Sequence, residues 1–378
     1  RHPAAPCQGG RSLLGVTGLK DELRRMIAAD GPITVERYMA LCLGHPVHGY
    51  YTRRDPFGAA GDFVTAPEIS QMFGELIGLW AVETWRLMGA PRPLGLVELG
   101  PGRGTLMRDL LRAARVDPGF CDAVRVQLIE TSPALRQAQQ RALGGSAVPI
   151  AWHERLSQVP AGPAIVVANE LFDALPVRQF VRADAGWCER LVGLGPDGGL
   201  AFGLFREPER GLTLAGRAGD VLEQPEAALG LARDIAGLAR KGGGAALVID
   251  YGYEGPAFGD TLQAVRRHAY ADPLAEPGGA DLTVHVDFAK LAAAARAEGA
   301  AVHGPVTQGA FLRALGIETR AAALKRRATP AQAEDVERAL ARLTGAGPDG
   351  MGELFKAICI ADPRLPPPPG FAAPEVAA

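Results

Sequence analysis

The chain has 378 residues, 47% of them hydrophobic, enough to bury a large core without disulfide staples, as one elaborated domain or two to three smaller ones. Forty lysines and arginines against 42 acids leave a formal charge of −2 with no long single-sign run, which removes the electrostatic footprint of a nucleic-acid binder. Five cysteines, Cys7, Cys42, Cys121, Cys188 and Cys359, are odd in number and never spaced C-x-x-C, so neither a disulfide framework nor a zinc ribbon is expected, and a reducing compartment fits.

No apolar run approaches the roughly 18 residues that cross a bilayer, and the opening RHPAAPCQGGRSLLG lacks the apolar centre of a signal peptide. A cytoplasmic protein without membrane insertion is the expectation, with residues 1–18 a disordered tail. From 19 to 43, Leu23, Met26, Ile27, Val35, Tyr38 and Met39 recur at helical intervals, broken at Gly31-Pro32, and Thr34 stands where it caps a second helix. The long loop HPVHGYYTRRDPFGAAGDFVTAPE exceeds the 12 to 15 or so residues of ordinary connections, which favours a functional segment. Residues 69–88 predict one long amphipathic helix, ending an N-terminal helical segment with a covering loop over 19–92.

After Pro93 short apolar runs alternate with helical stretches. Strands at 94–99, 124–129 and 164–168 and helices at 105–114 and 133–143 predict right-handed βαβ units, hence an α/β fold with a mostly parallel sheet. Runs at 177–181, 187–194 and 200–205, separated by turn-forming residues, predict an antiparallel meander inserted into that sheet over about 177–240. A helix at 227–239 returns the chain to a buried strand at 245–250, within a core domain of 93–260. Strands at 261–265, 282–286 and 355–361, with helices at 288–297, 308–315 and 330–343, are expected to complete the sheet and roof the site over 261–361. The proline-rich tail 362–378 is expected to be extended or disordered.

Chemistry concentrates at the carboxyl ends of the apolar strands. Val97-Glu98-Leu99-Gly100-Pro101-Gly102-Arg103-Gly104-Thr105 joins the first strand to its helix; glycines there let backbone approach a ligand, and the helix start offers amides and a positive dipole end. The spacing is G-x-G-x-G, unlike the G-x-G-x-x-G of dinucleotide enzymes. Glu98 suits an ammonium such as that of a methionine moiety and would repel a pyrophosphate. The second strand ends in Glu130-Thr131-Ser132-Pro133, where nucleotide-binding α/β folds hold ribose hydroxyls, so Glu130 is the expected ribose ligand; a helix-capping carboxylate is the alternative. The next strand ends in Asn169-Glu170, with Asp173 three residues on, where it could share a helical face with Glu170 and help orient a nitrogen nucleophile. Asp250-Tyr251-Gly252-Tyr253 ends a further strand on the same edge. No metal site is expected: His45 and His48 lack a third ligand, and His285 reads equally as a core histidine.

In these residues the sequence resembles the MidA-type methyltransferases, the class I family whose mitochondrial members are complex I assembly factors. The matching blocks are GYY, GDFVTAPEISQMFGELIG, VELGPGRGTLMRDLLR, IETSPALR, ANELFDALPVRQF, VIDYGY and TQGAFLRALGI, which span about residues 44–316. The resemblance implies a Rossmann-like methyltransferase fold, S-adenosylmethionine as donor and, for the mitochondrial members, symmetric dimethylation of an arginine in a complex I subunit. It makes Gly100, Gly102 and Gly104 cofactor-binding, beside Glu98, Pro101, Glu130 and Thr131 expected there from the strand ends and the turn; Asn169, Glu170 and Asp173 become catalytic acceptor-site candidates. It also closes the GDFVTAPE block over the cofactor, with Asp62, Thr65 and Glu68 near it. One departure bears on the acceptor: better-known arginine methyltransferases grip guanidinium with two glutamates in one loop, whereas the pair here is Glu170 and Asp173. The leading expectation is a protein arginine methyltransferase. The competing one is an assembly or scaffolding protein that retains the fold without transferring a methyl group.

Overall fold

The computed structural model describes residues 18–53, 65–255, 257–266, 268–347 and 349–371. Eight strands form the main sheet: β1 Leu94–Leu99, β2 Val124–Ile129, β3 Ile150–His153, β4 Ala164–Asn169, β5 Ala245–Tyr253, β6 Val286–Asp287, β7 Ala301–Thr307 and β8 Phe355–Ala361. Their order is β7-β8-β5-β4-β1-β2-β3, with β6 paired to the end of β5. Pairing is parallel from β3 through β5, and β8 runs antiparallel to β5 and β7. The connections leave β1 towards β2 on one side and reach β4 on the other, so the strand order reverses between β1 and β4. A crevice opens at such a reversal, beyond the carboxyl ends of the two strands.

Both faces of the sheet are covered, which is why its strands read as near-continuous apolar runs. Leu94, Leu96, Ile165, Val167, Leu247 and Ile249 pack on one side against helices Gln71–Leu87 and Thr105–Ala114. Val97, Leu99, Val166, Ala168, Ala246 and Val248 pack on the other, against Glu226–Gly242 and Phe288–Ala297. Helix 71–87 approaches helix 105–114 through Gly74 and Gly78: a Cβ on Gly74 would lie 2.7 Å from Asp109 Cβ, and one on Gly78 2.6 Å from the Leu110 carbonyl oxygen. This close crossing seats the start of helix 71–87 beside the start of helix 105–114, and so brings residues 65–69 to the glycine turn.

The structure departs from the sequence expectations in several places. The one long helix expected over 69–88 is present as Gln71–Leu87, two residues shorter at its start and one at its end. Ser70 is extended (φ −160°) and its hydroxyl accepts from the Met72 amide, which ends helix Ala66–Ile69 and starts Gln71–Leu87. The antiparallel meander is not part of the parallel sheet. Strands Arg178–Ala183, Gly186–Leu194, Leu200–Pro208 and Val221–Gln224 join Ile33–Thr34 in a separate sheet, because strand 186–194 pairs with residue 33–34 backbone from the N-terminal segment. The stretches expected at 261–265 and 282–286 also leave the main sheet: Gln263–Arg266, Ala269–Ala271 and Asp281–Thr283 make a third small sheet, and only Val286–Asp287 reaches β5. The described part of the tail is packed, not extended into solvent; Phe371 lies 5.2 Å, ring to ring, from the buried Phe311, and Leu365 rests on the same cluster. The N-terminal break, by contrast, is as the sequence implies, with helices Leu19–Asp30 and Val35–Gly44 and the Thr34 hydroxyl accepting from the Arg37 amide. The tail expected over 1–18 lies, but for Gly18, outside the described residues.

Candidate active site

The turn after β1 takes the shape its glycines permit. Gly100, Gly102 and Gly104 all have positive φ (63°, 52° and 82°), a region costly for residues with a Cβ. The turn is tied to its surroundings by the Gly100 amide donating to the Ile129 carbonyl (3.1 Å) and by Gln139 Nε2 donating to the Gly102 carbonyl (2.8 Å). At Gly100 there is also no room: a Cβ would meet Leu171 Cδ1 at 2.9 Å.

A cleft at the β1/β4 reversal is lined by Thr65, Glu68, Glu98, Gly100, Pro101, Gly102, Asn169 and Glu170, together with Pro67, Arg103, Thr105 and Leu106. Segment 65–69 straps across it. Glu68 Oε1 accepts from the Thr105 hydroxyl (2.6 Å), and the Ala66 amide donates to Glu170 Oε1 (2.8 Å). Asp62, expected beside Thr65 and Glu68, lies outside the described residues. A larger hollow, of about 830 Å³, lies elsewhere, where Leu76, Leu79 and Val116 meet Glu75 bound by Arg112 and Arg320. It gathers no free acid or amide, so the smaller cleft is the better candidate on chemistry.

Two buried polar atoms in the cleft are left without partners: Glu98 Oε2 and Asn169 Oδ1. Glu98 is 3% exposed, and burial, with the negative charge of Glu130 nearby, pushes its carboxyl up to about 8. An acid buried with an unmade hydrogen bond is costly unless a ligand completes it. An ammonium does so with both charge and donors. Asn169 donates from Nδ2 to Glu170 Oε1 (3.0 Å), leaving its carbonyl for a donor in the cleft.

Glu170 holds a left-handed conformation (φ 51°) at the end of β4, its amide donating to the Ile249 carbonyl. Strain of this kind in a non-glycine residue clusters at functional sites. Burial, opposed by the Ala66 amide and Asn169, lifts its carboxyl to about 7. Asp173 is 7% exposed and likewise raised to about 7 by burial, against a hydrogen bond from Tyr251. Asp250, fully buried behind them, is also raised by burial and by the charges of Asp173 and Glu170.

Three expected site residues are placed differently from the sequence reading. Asp173 does not share a helical face with Glu170, because only a three-residue 3-10 turn, Phe172–Ala174, follows β4; Asp173 faces Tyr251 instead of lining the cleft. Thr131 is exposed to solvent. Glu130 is buried at the end of β2, but its carboxylate accepts from the Ser132 amide (2.7 Å) and from Gln139 Nε2 (3.1 Å), and it does not line the cleft. The cap of helix Pro133–Leu143 is Ser132, whose hydroxyl accepts from the Leu135 amide, with Glu130 bonded to the Ser132 amide before it.

Gln139 is a residue the sequence reading passed over. Fully buried, it joins the Gly102 carbonyl and Glu130, and its Oε1 accepts from Trp152 Nε1 (2.9 Å). Its signal was available: Leu135, Gln139 and Leu143 form one i, i+4, i+8 face, and an amide in such an apolar row must have partners.

The comparisons with known proteins agree with this geometry. Residues 76–306 match the family described as "Putative S-adenosyl-L-methionine-dependent methyltransferase". The chain is 39% identical to the Drosophila melanogaster protein arginine methyltransferase NDUFAF7 homolog, mitochondrial, over 92% of this chain and 85% of that one. It is 36% identical to the human protein arginine methyltransferase NDUFAF7, mitochondrial, over 81% of this chain and 75% of the human one. A Burkholderia thailandensis protein crystallised with S-adenosyl-homocysteine superposes with a TM-score of 0.81 at 30% identity, covering 94% of this chain and 92% of the other. The cytoplasmic expectation is overturned by the mitochondrial relatives. Cysteines without disulfide spacing and the lack of a long apolar run describe chemistry that more than one compartment shares, so they never singled out the cytosol. Helices on both faces of a sheet that reverses between β1 and β4, a glycine turn with an unpartnered acid before it, and these matches all agree: the chain belongs to the S-adenosyl-L-methionine-dependent methyltransferase family, and S-adenosylmethionine is its methyl donor.

Proposed function

We propose that this methyltransferase acts on a guanidinium nitrogen of an arginine in a protein, with a respiratory complex I subunit, the acceptor the sequence resemblance implies, as the substrate to assay. The observation that carries this reading is a group of buried acids whose burial outweighs the counter-charge near them. Glu170, Asp173 and Asp250 cluster at the carboxyl ends of β4 and β5, and burial raises all three carboxyls, outweighing the pull of the Arg342 charge on Glu170. Buried carboxylates are expensive unless paired, and a cationic acceptor supplies the missing charge. Guanidinium fits best, since its planar fork meets carboxylates in bidentate fashion and it stays charged in water. The names of the relatives, protein arginine methyltransferases, point the same way.

In this reading Glu98 receives the ammonium of the donor's methionine moiety, and the Gly100–Gly104 turn with Pro101 lies against that moiety. Thr65 and Glu68 close the cleft from the strap, while Glu130 and Thr131 stand at the ribose end. Bound S-adenosylmethionine supplies an electrophilic methyl on a sulfonium. Glu170 and Asp173 hold the guanidinium, draw its positive charge away from the attacking nitrogen and receive the proton released when that nitrogen is methylated, while Asn169 orients it with its open carbonyl. Alignment and charge placement supply the acceleration.

The test is mass spectrometry of arginine-containing peptides and of a complex I subunit after incubation with the protein and S-adenosylmethionine. Methylated arginine is expected. Methylation confined to another residue type, or none beside intact S-adenosyl-homocysteine binding, would contradict the arginine reading.

A further inference from the structure

We propose that Asp250 and Tyr251, at the end of β5, are a paired positioning device that holds the acceptor turn 170–173 in its working shape. The proposal rests on the arginine reading above for the role of the turn, and on geometry for the device.

Asp250 Oδ2 accepts from three successive backbone amides, those of Leu171 (3.1 Å), Phe172 (2.8 Å) and Asp173 (3.3 Å), while Oδ1 accepts from the Tyr251 amide (2.9 Å). Three consecutive N–H groups converging on one oxygen form an anion-binding concavity of backbone, here filled by a side chain from the neighbouring strand. Amides that open a helical turn, here the 3-10 turn Phe172–Ala174, have no partner within it, so without Asp250 they would be donors lacking partners in a buried site. The carboxylate therefore holds the turn against β5. That clamp also sustains the left-handed Glu170, whose amide is fixed to the Ile249 carbonyl one residue before Asp250. Such strain costs on the order of 1–3 kcal/mol and persists only where surrounding bonds over-determine it.

Tyr251 works on the side chain where Asp250 works on the backbone. Its hydroxyl accepts from Gln263 Nε2 (3.0 Å) of the small sheet and acts on the Asp173 carboxyl, which it holds below where burial alone would put it. The same Gln263 nitrogen reaches the Thr283 hydroxyl (3.2 Å), and the Val284 amide donates to the Asp173 carbonyl (2.9 Å). The small sheet thus fixes Asp173 from the side away from the cofactor cleft. Neither Asp250 nor Tyr251 lines that cleft, so both act through Glu170 and Asp173.

Asp250→Asn keeps the shape but turns an NH₂ towards N–H donors at one end. Turnover of an arginine peptide per S-adenosyl-homocysteine-binding site is expected to fall about tenfold or more, with S-adenosyl-homocysteine affinity within about threefold of the parent. A merely structural role would lower thermal stability and leave turnover per binding site unchanged. Tyr251→Phe gives the second readout. Asp173 is faced by Asp250, Glu170, Tyr251 and Tyr51. The lost hydroxyl favours the ionised carboxylate, so the acidic limb of kcat/KM moves to higher pH. Unchanged turnover per site in Asp250→Asn, together with a pH profile of Tyr251→Phe superposable on the parent, would overturn the proposal. If the parent methylates no arginine peptide, the arginine reading fails separately. The device is then judged on the crystal structure of Asp250→Asn, where Glu170 leaving the left-handed region supports it and an unmoved turn overturns it.

Discussion

Glu98 and Gly100 carry the cofactor reading between them, and each does so by something it lacks. Glu98 lacks a partner for Oε2 while 3% exposed, and Gly100 lacks the Cβ that would strike Leu171. Gly100→Val adds a left-handed penalty of about 1–2 kcal/mol and overpacking of about 1–3 kcal/mol, both at the cleft wall. Isothermal titration with S-adenosyl-homocysteine should show affinity reduced by roughly a hundredfold or more, equivalent to about 3 kcal/mol, with the far-ultraviolet circular dichroism spectrum retained. Parent-like affinity would show that the ligand does not lie against this turn. The site was legible in the sequence where a chemical group must end an apolar strand: Glu98, Asn169 and Glu170 stand at strand ends and all line the cleft. It was not legible where side-chain direction decides, since Thr131 and Asp173 follow such ends yet turn elsewhere, one to water and one to Tyr251.

Elements were readable wherever the apolar period was unbroken. β1, β2 and β8 and the helix Phe288–Ala297 fall at their expected limits. β3 was missed because it is four half-buried residues after Pro149, and β7 because Gly304-Pro305 interrupts it. Proline removes a ladder donor and is confined to edges and bulges; β7 is an edge strand, and its register shifts between His303 and Val306. The proline-rich tail was misjudged for a related reason. Composition argued against a packed element, but a chain without regular structure can still bury single side chains. Phe371 against Phe311 is such an anchor. Phe371→Ala is expected to cost about 2 kcal/mol, less than for a fully buried ring, read as a lower denaturation midpoint in urea with S-adenosyl-homocysteine affinity retained. An unchanged midpoint would show that the tail does not stay on the core.

At the scale of the whole molecule, three sheets divide the work. The main sheet sets the reversal between β1 and β4 where the cleft opens, the meander sheet anchors the N-terminal segment through residues 33–34, and the small sheet braces Asp173. Alternation of strands and helices announced the first of these. The other two depend on pairings between stretches far apart in the chain, such as Ile33 with Val192, which no local pattern encodes. The organisation converges on one claim, that the cleft between the glycine turn and the 65–69 strap holds the methionine end of the donor with Glu98 as its ammonium ligand. A crystal structure of the protein with S-adenosyl-homocysteine tests it most directly. The account predicts the ligand's amino nitrogen within hydrogen-bonding distance of Glu98 Oε2 and its carboxylate end beside Gly100–Gly104. Adenosyl-homocysteine bound away from β1, or a Glu98 carboxylate still without a partner in the complex, would contradict it.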